Sequence, residues 1–324
     1  MDLTRPTPIA AGETNAIGRM LGLLGDEWTL LLLQQSLQGA SRYGRLKAAL
    51  PISNSVLTVR LRVLTDAGLL ERSVYQDTPV RAEYLATPRS RSLWPVMLSI
   101  WEWEQHWVSD HTTPLPSMHH AACGQDFAPV LTCRSCGKGV VAREVRGDWG
   151  PSGSWSRSVP QAVTRRRSDP DTPHTQAGLF PETMTIFGNR WGSALLGAAF
   201  RGVTRFTDFE ANLSVPPTLL AERLRSFCDL GILEPRPISG RPDWAAYGLT
   251  DKGRAFFPVV VTTLRWAEDW FVAAEGPAMV QTHLTCGDPF VPVLACGQCR
   301  QPLAGHDIEV IPAGEARDRA GGRT

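Results

Sequence analysis

The amino-acid sequence is written twice. A constant offset of 163 residues superimposes Trp28 on Trp191, Arg42 on Arg205, Arg60 and Leu61 on Arg223 and Leu224, and Gly68 on Gly231. The match continues through Pro79 and Pro242, Tyr84 and Tyr247, Thr87 and Thr250, Trp103 and Trp266, and Trp107 and Trp270. Each copy then closes on the same four candidate metal ligands: His120, Cys123, Cys133 and Cys136, then His283, Cys286, Cys296 and Cys299. Solenoid repeats have periods of at most about 50 residues, so a unit this long is a duplicated domain. A chain of 324 residues also suits two domains of ordinary size. Any function must use a pair of equivalent modules.

The apolar fraction, 43%, lets each copy bury its own core. No apolar run approaches the roughly 18 residues of a membrane span. The start, Met1-Asp2-Leu3-Thr4-Arg5-Pro6, lacks the basic and apolar stretches of an export signal, so the expected compartment is the cytoplasm. Six of the seven cysteines fall into the two clusters, which in such a chain favours metal ligation over disulfides. The seventh, Cys228, lies in an apolar helical run and reads as a small buried side chain. Charge is uneven although the net is only +1: residues 41–91 carry nine Lys/Arg and four Asp/Glu, and residues 204–254 carry seven of each.

In copy one, helices are expected from Asn15 to Leu24, from Asp26-Glu27 through Trp28 and the leucines 30–33, from Tyr43 to Leu50, and from Ser53 to Asp66. Acidic residues suit a helix start, Ser53 is a good N-cap, and Gly68 suits a helix end. The period then changes to two strands, 69–75 and 80–86, joined by a turn at Gln76-Asp77-Thr78-Pro79. A long helix follows from Pro88 to about Val108. Copy two repeats this plan from Phe180 to Ala274. The expected fold is mainly α (α+β): tandem winged helix-turn-helix domains at 14–110 and 179–274. Each is followed by a small zinc-ribbon-like appendage, at 117–145 and 280–310. Residues 1–13 read as a loose lead-in, residues 146–178, with Arg165-Arg166-Arg167, as a flexible linker, and the last dozen residues as a disordered tail.

A helix-turn-helix pins one helix on the core and offers its outer face to the major groove. With Leu57, Leu61 and Leu64 inward, the fourth helix presents Ser55, Thr58, Val59 and Arg62. Short polar groups allow close approach and Arg can fork onto guanine. In copy two Leu220, Leu224 and Phe227 face inward, and Thr218, Ala221, Glu222 and Arg225 face out. Arg42, Arg45 and Arg81, with Arg205 and Arg241 in copy two, are candidate phosphate contacts. Copy one, with the greater positive charge, is expected to be the principal DNA reader.

Three segments carry a family resemblance: Gly25-Asp26-Glu27-Trp28-Thr29-Leu30, Arg42-Tyr43-Gly44-Arg45-Leu46, and Ile52-Ser53-Asn54-Ser55-Val56-Leu57-Thr58-Val59-Arg60-Leu61. With the wing Arg72-Ser73-Val74-Tyr75-Gln76-Asp77-Thr78-Pro79-Val80-Arg81, they resemble the HxlR-type branch of the MarR-like regulators. The resemblance covers about residues 15–110 and, more weakly, 178–273, where Gly188-Asn189-Arg190-Trp191 and Tyr247-Gly248-Leu249-Thr250 are kept but the wing departs. It implies dimeric, sequence-specific DNA-binding regulators. Many members carry a reactive cysteine thirteen residues before the motif tryptophan; here Asn15 and Gly178 stand there.

Trp28 and Trp191 read as core, whereas Trp101, Trp103 and Trp107 cannot all face one core and imply a contact between modules. Each cluster, His-x2-Cys-x9-Cys-x2-Cys, is expected to hold one structural zinc ion within its own copy, two per chain. No nucleophile elbow, P-loop, dinucleotide fingerprint or HExxH is present, so an enzyme is not expected. The expected partner is double-stranded DNA, bound by an intramolecular pseudo-dimer or a homodimer, with an effector of unknown identity and no membrane. Two alternatives stay open: a metal- or thiol-responsive sensor acting through the clusters, and a protein-interaction scaffold in which copy two has lost DNA contact.

Overall fold

A computed structural model describes residues 3–78, 80–111, 113–159, 180–238 and 241–314, with backbone only at 238 and 241–244. Copy one runs β1 (Thr7–Ile9), α1 (Ala16–Leu24), α2 (Glu27–Leu37), α3 (Tyr43–Ala49), α4 (Asn54–Asp66), β2 (Leu70–Asp77), β3 (Val80–Ala86), α5 (Pro88–Arg91) and α6 (Trp94–Trp107). Its second part holds β4 (Ser117–His120), β5 (Gln125–Asp126), β6 (Pro129–Cys133), β7 (Val145–Trp149) and α7 (Trp155–Ser158). Copy two repeats the series as α8 (Pro181–Phe187), α9 (Arg190–Phe200), α10 (Phe206–Leu213), α11 (Pro217–Asp229), β8 (Leu233–Ile238), β9 (Arg241–Leu249), α12 (Asp251–Ala255) and α13 (Phe257–Trp270). It closes with β10 (Phe271–Ala273), β11 (Met279–His283), β12 (Pro292–Cys296) and β13 (Ile308–Ile311).

Local chemistry explains most boundaries. Asn15, Asp26 and Ser53 cap α1, α2 and α4 by accepting from the N–H groups of Gly18, Thr29 and Val56. The long helix expected from Pro88 is two helices, because Pro95 stands in the first turn of α6 and lacks the N–H that would continue α5. Pro258 divides α12 from α13 in the same way. Gln76 and Asp77, expected in a turn, extend strand β2.

The copies share one continuous apolar core, and they meet through equivalent residues. Asp26 bridges Asn189, its own counterpart, and in the antiparallel pair of β6 and β12 Leu131 lies opposite Leu294, again its counterpart. The Trp103 indole donates to Lys252 O at 3.1 Å and the Trp266 indole to Arg89 O at 2.9 Å, the same contact made in both directions. Contacts of this kind define an approximate two-fold axis. Gly25 and Gly188 flank it: a Cβ on Gly25 would lie 2.8 Å from Arg190 Cα, and one on Gly188 would lie 3.1 Å from Glu27 Cβ. Trp103 and Trp266 thus join the copies, as does Trp270, whose indole donates to Ser92 Oγ at 2.7 Å, while Trp28 and Trp191 are half-buried against the core.

Two segments expected to be loose are structured. In the lead-in, β1 pairs in parallel with β10 and buries Ile9. Within the stretch expected as linker, β7 pairs with β11 and α7 packs on α1 and α10. There Asn15, fully buried, donates to Ser152 O at 3.1 Å and Ser158 Oγ at 2.8 Å. The basic run Arg165-Arg166-Arg167, Gly178 and residues 315–324 lie outside the described residues.

Candidate nucleic-acid interface and metal centres

Helix α4 divides into two faces. Leu57, Leu61 and Leu64 are at most 1% exposed, while Ser55, Thr58, Val59 and Arg62 face solvent. The turn before the helix is set by Pro51 and the Ser53 cap, and Tyr43 Oη donates to Asn54 O at 3.1 Å, tying α3 to α4. On α11 Leu220, Leu224 and Phe227 are buried, Thr218, Glu222 and Arg225 are exposed and Ala221 is half-buried. Pro216 and Pro217 replace the Ser53-Asn54 start, so α11 has no side-chain cap.

The flanking arginines are not equally available. Arg42 donates to the wing residue Glu83 at 2.7 Å and lies over the Tyr75 ring, its centre 5.1 Å from the ring centroid. The hydrogen bond and charge of Glu83 raise its pKa still further. Arg205 faces Ala246 at the same bridge, and no carboxylate among the described residues holds it. Arg45 and Arg81 are exposed without an ion-pair partner among the described residues, and Arg62 lies 3.7 Å from Asp66. The side chain of Arg241 lies outside the described residues. Glu83 was not singled out from sequence, although the repeat marks it: its counterpart is Ala246.

The ligand clusters assemble across the copies, not within them. His120 and Cys123 join Cys296 and Cys299, and Cys133 and Cys136 join His283 and Cys286; in each group the ligand atoms lie within 4.8 Å of one another. This corrects the expectation of one site per copy. The nine residues between Cys123 and Cys133 include strand β6, whose five extended residues, at about 3.3 Å per step, carry the second ligand pair about 13 Å from the strand's start. Antiparallel pairing about Leu131 and Leu294 puts the start of β6 beside the end of β12, so the first pair of one copy meets the second pair of the other.

His120 Nδ1 lies 3.3 Å from Cys123 Sγ and 3.4 Å from Cys299 Sγ; His283 Nδ1 lies 3.3 Å from Cys286 Sγ and 3.5 Å from Cys136 Sγ. Both histidines and the inner cysteines, Cys133 and Cys296, are buried. Burial pushes those two thiols up, but the N–H groups of Ser135 and Cys136, and of Gln298 and Cys299, outweigh it and hold both below the ordinary thiol range. Gly137, after the last ligand of copy one, has φ +69°; its counterpart Arg300 adopts the same left-handed turn at +64°. Three sulfurs and one imidazole nitrogen at this spacing can hold a metal ion. His119, hydrogen-bonded to Asp126 at 2.9 Å, is no ligand.

Comparison with known proteins agrees with the duplicated architecture. The family model for HxlR-like helix-turn-helix proteins matches residues 23–112 and again 186–275. The uncharacterized HTH-type transcriptional regulator Rv3095 of Mycobacterium tuberculosis is 34% identical over 139 residues, which is 43% of this chain and 88% of the relative. The uncharacterized HTH-type transcriptional regulator sll1512 of Synechocystis is 34% identical over 102 residues, 31% of this chain and 76% of the relative. The crystal structure of PA1607, described as a candidate transcription factor, is 33% identical, covers 43% of this chain and 98% of its own, and superposes with a TM-score of 0.38. These similarities are to transcriptional regulators and not to an enzyme family. The chain belongs to the HxlR-like helix-turn-helix family and carries the family's domain twice.

Proposed function

We propose that the chain is a sequence-specific DNA-binding transcriptional regulator whose two winged-helix domains, 14–110 and 179–274, act as a pseudo-dimer within one polypeptide. The observation that carries this reading is the meeting of equivalent residues, Asp26 with Asn189 and Leu131 with Leu294. A two-fold relation between α4 and α11 suits inverted half-sites read in successive major grooves, about 10 base pairs or a multiple apart. Ser55, Thr58, Val59 and Arg62 would face base edges, as would Thr218, Ala221 and Arg225. Arg45, Arg81, Arg205 and Arg241 would contact phosphates, and Arg42 would join them when released from Glu83.

Two zinc ions would complete the regulator. A donor set of three thiolates and one imidazole suits tetrahedral Zn²⁺, and four protein ligands leave no open position for catalysis. Because each site takes two ligands from each copy, the ions would staple the copies together rather than stiffen two separate zinc-ribbon-like appendages. Selecting DNA from a random pool, followed by sedimentation of the complex, tests the proposal. The expected result is an imperfect palindrome bound by a single chain. Selection of an asymmetric single site, or a complex that always holds two chains, would refute the pseudo-dimer.

A further inference from the structure

Two cavities occupy equivalent places in the two copies but differ greatly in size. In copy one the cavity lies between α2, α6 and β13 and measures about 830 Å³; in copy two its counterpart, between α9, α13 and β7, measures about 120 Å³. Leu37, Trp94 and Met97 line the first where Phe200, Phe257 and Val260 line the second. The walls are therefore similarly apolar in both. What differs is the filling.

In copy two the chain leaving β7 fills the room with its own indoles. Trp149 and Trp155 meet edge to face with centroids 5.1 Å apart. The Arg201 guanidinium lies 4.0 Å from the first centroid and 5.5 Å from the second. The same positions after β13 are Pro312, which is exposed, and Asp318, and Gln38 stands in place of Arg201. Residues 313–324 contain no aromatic and no branched apolar side chain, so that part of the sequence offers no counterpart to the two indoles.

The open cavity also has a polar group awaiting a partner. Gln34 lines it at 8% exposure, and its side-chain amide makes no hydrogen bond among the described residues. The amide is reachable from the cavity and has no protein partner there, so a ligand atom placed beside it can hydrogen-bond to it. Among the described residues the only charged or titratable groups on the wall are Arg91 and His306, both exposed at its edge, and no carboxylate lines it. The surroundings suit a neutral or anionic molecule and disfavour a cation.

We propose that the copy-one cavity binds a small planar aromatic molecule of one or two rings, neutral or anionic, whose polar group pairs with the Gln34 amide. The indoles of copy two are its built-in equivalent. A duplicated site has been sealed on one side and kept open on the other.

Titration calorimetry of the full chain with indole, indole-3-carboxylate and tryptamine tests this. Saturable binding of indole and of the carboxylate, one per chain, is expected, with the tryptamine cation at least about tenfold weaker. Leu37→Trp combined with Met97→Trp puts two indoles into the cavity and should weaken binding at least about tenfold. Trp155→Ala should open the second cavity and raise the stoichiometry to two. Thermal unfolding verifies that each variant is folded, and if Trp155→Ala is not, the filled variant and Gln34→Leu decide. The proposal is overturned by no saturable heat up to millimolar indole, by unchanged affinity in the filled variant, or by equal affinity for tryptamine. It is also overturned if ending the chain at Gly314 raises indole affinity about tenfold, since the chain itself would then be the occupant.

Discussion

The two candidate reading surfaces have the same backbone plan and opposite chemistry. Helix α3 carries Arg45 and Lys47; α10 carries Asp208 and Glu210 at the same places. Val59 of α4 becomes Glu222 of α11, and the Ser53 cap becomes Pro216. The difference is not a simple surplus of charge in copy one. Arg42 is held by Glu83, Arg60 by Asp26 at 2.7 Å, and Arg89 is buried, donating to Ala67 O and Thr7 Oγ1. Arg205, in the nominally neutral copy, faces no carboxylate among the described residues. The comparison teaches that formal charge counts mislead, and that Arg45 and Arg81, exposed and unpaired among the described residues, set the copies apart together with Asp208 and Glu210, which stand where copy one has Arg45 and Lys47.

The largest expected effect lies where the copies cannot be told apart. Cys133→Ser and Cys296→Ser each remove the buried ligand of a shared site, so both should lower bound zinc from two ions to one and reduce thermal stability alike. Structural zinc binding is worth on the order of 10–16 kcal/mol in small domains, so the loss should dominate every other change. Elemental analysis under reducing conditions measures it. If either substitution leaves both ions in place, that cysteine is not a ligand.

Next come the base contacts. Arg62→Ala should cost about 1–3 kcal/mol of binding and relax specificity at one position, and Arg225→Ala should cost less. Equal losses would mean that both copies read alike. Asp208→Arg tests the same contrast from the other side: it should tighten DNA binding and steepen the salt dependence by about one phosphate contact. An unchanged slope would place α10 away from the backbone.

A smaller effect separates Glu102 from its counterpart Arg265, which is exposed and paired with Asp269 at 2.7 Å. Burial beside Trp103 and Trp107 pushes the Glu102 carboxyl from 4.5 to about 7. The folded protein then keeps a proton that the unfolded chain has lost. Stability should fall as pH rises from about 4.5 to about 7 and stay level above that. Glu102→Gln should flatten that slope and stabilise the protein near pH 8 by on the order of 1 kcal/mol, a figure reduced for partial exposure. Denaturant titrations across the pH range measure it. The least effect belongs to Glu83→Ala, which frees Arg42 and should strengthen DNA binding only a few-fold, because exposed ion pairs are weak.

Much of this molecule was legible in one dimension. The repeat, the helix boundaries set by Asn15, Asp26, Ser53 and Pro88, the apolar stripe Leu57-Leu61-Leu64 and the identity of the candidate metal-ligand residues all follow from local pattern. Caps and periodicity act over a few residues, so they are written where they act. The division of the closing helix at Pro95 was also there to be read, because proline ends a hydrogen-bond ladder wherever it stands.

Tertiary structure alone decided the partnerships. A spacing of two residues brings His120 to Cys123, but nothing in the spacing says whether Cys133 or Cys296 completes the set. That choice depends on β6 being extended and on its pairing with β12, a contact between residues 163 positions apart. Likewise Ile9, and Trp149 and Trp155, sit in segments without strong periodicity and become ordered only because the other copy, or the chain between copies, offers a surface to cover. Ligand chemistry is a property of side chains, and the sequence names them. Ligand grouping is a property of distance, which only the folded chain determines.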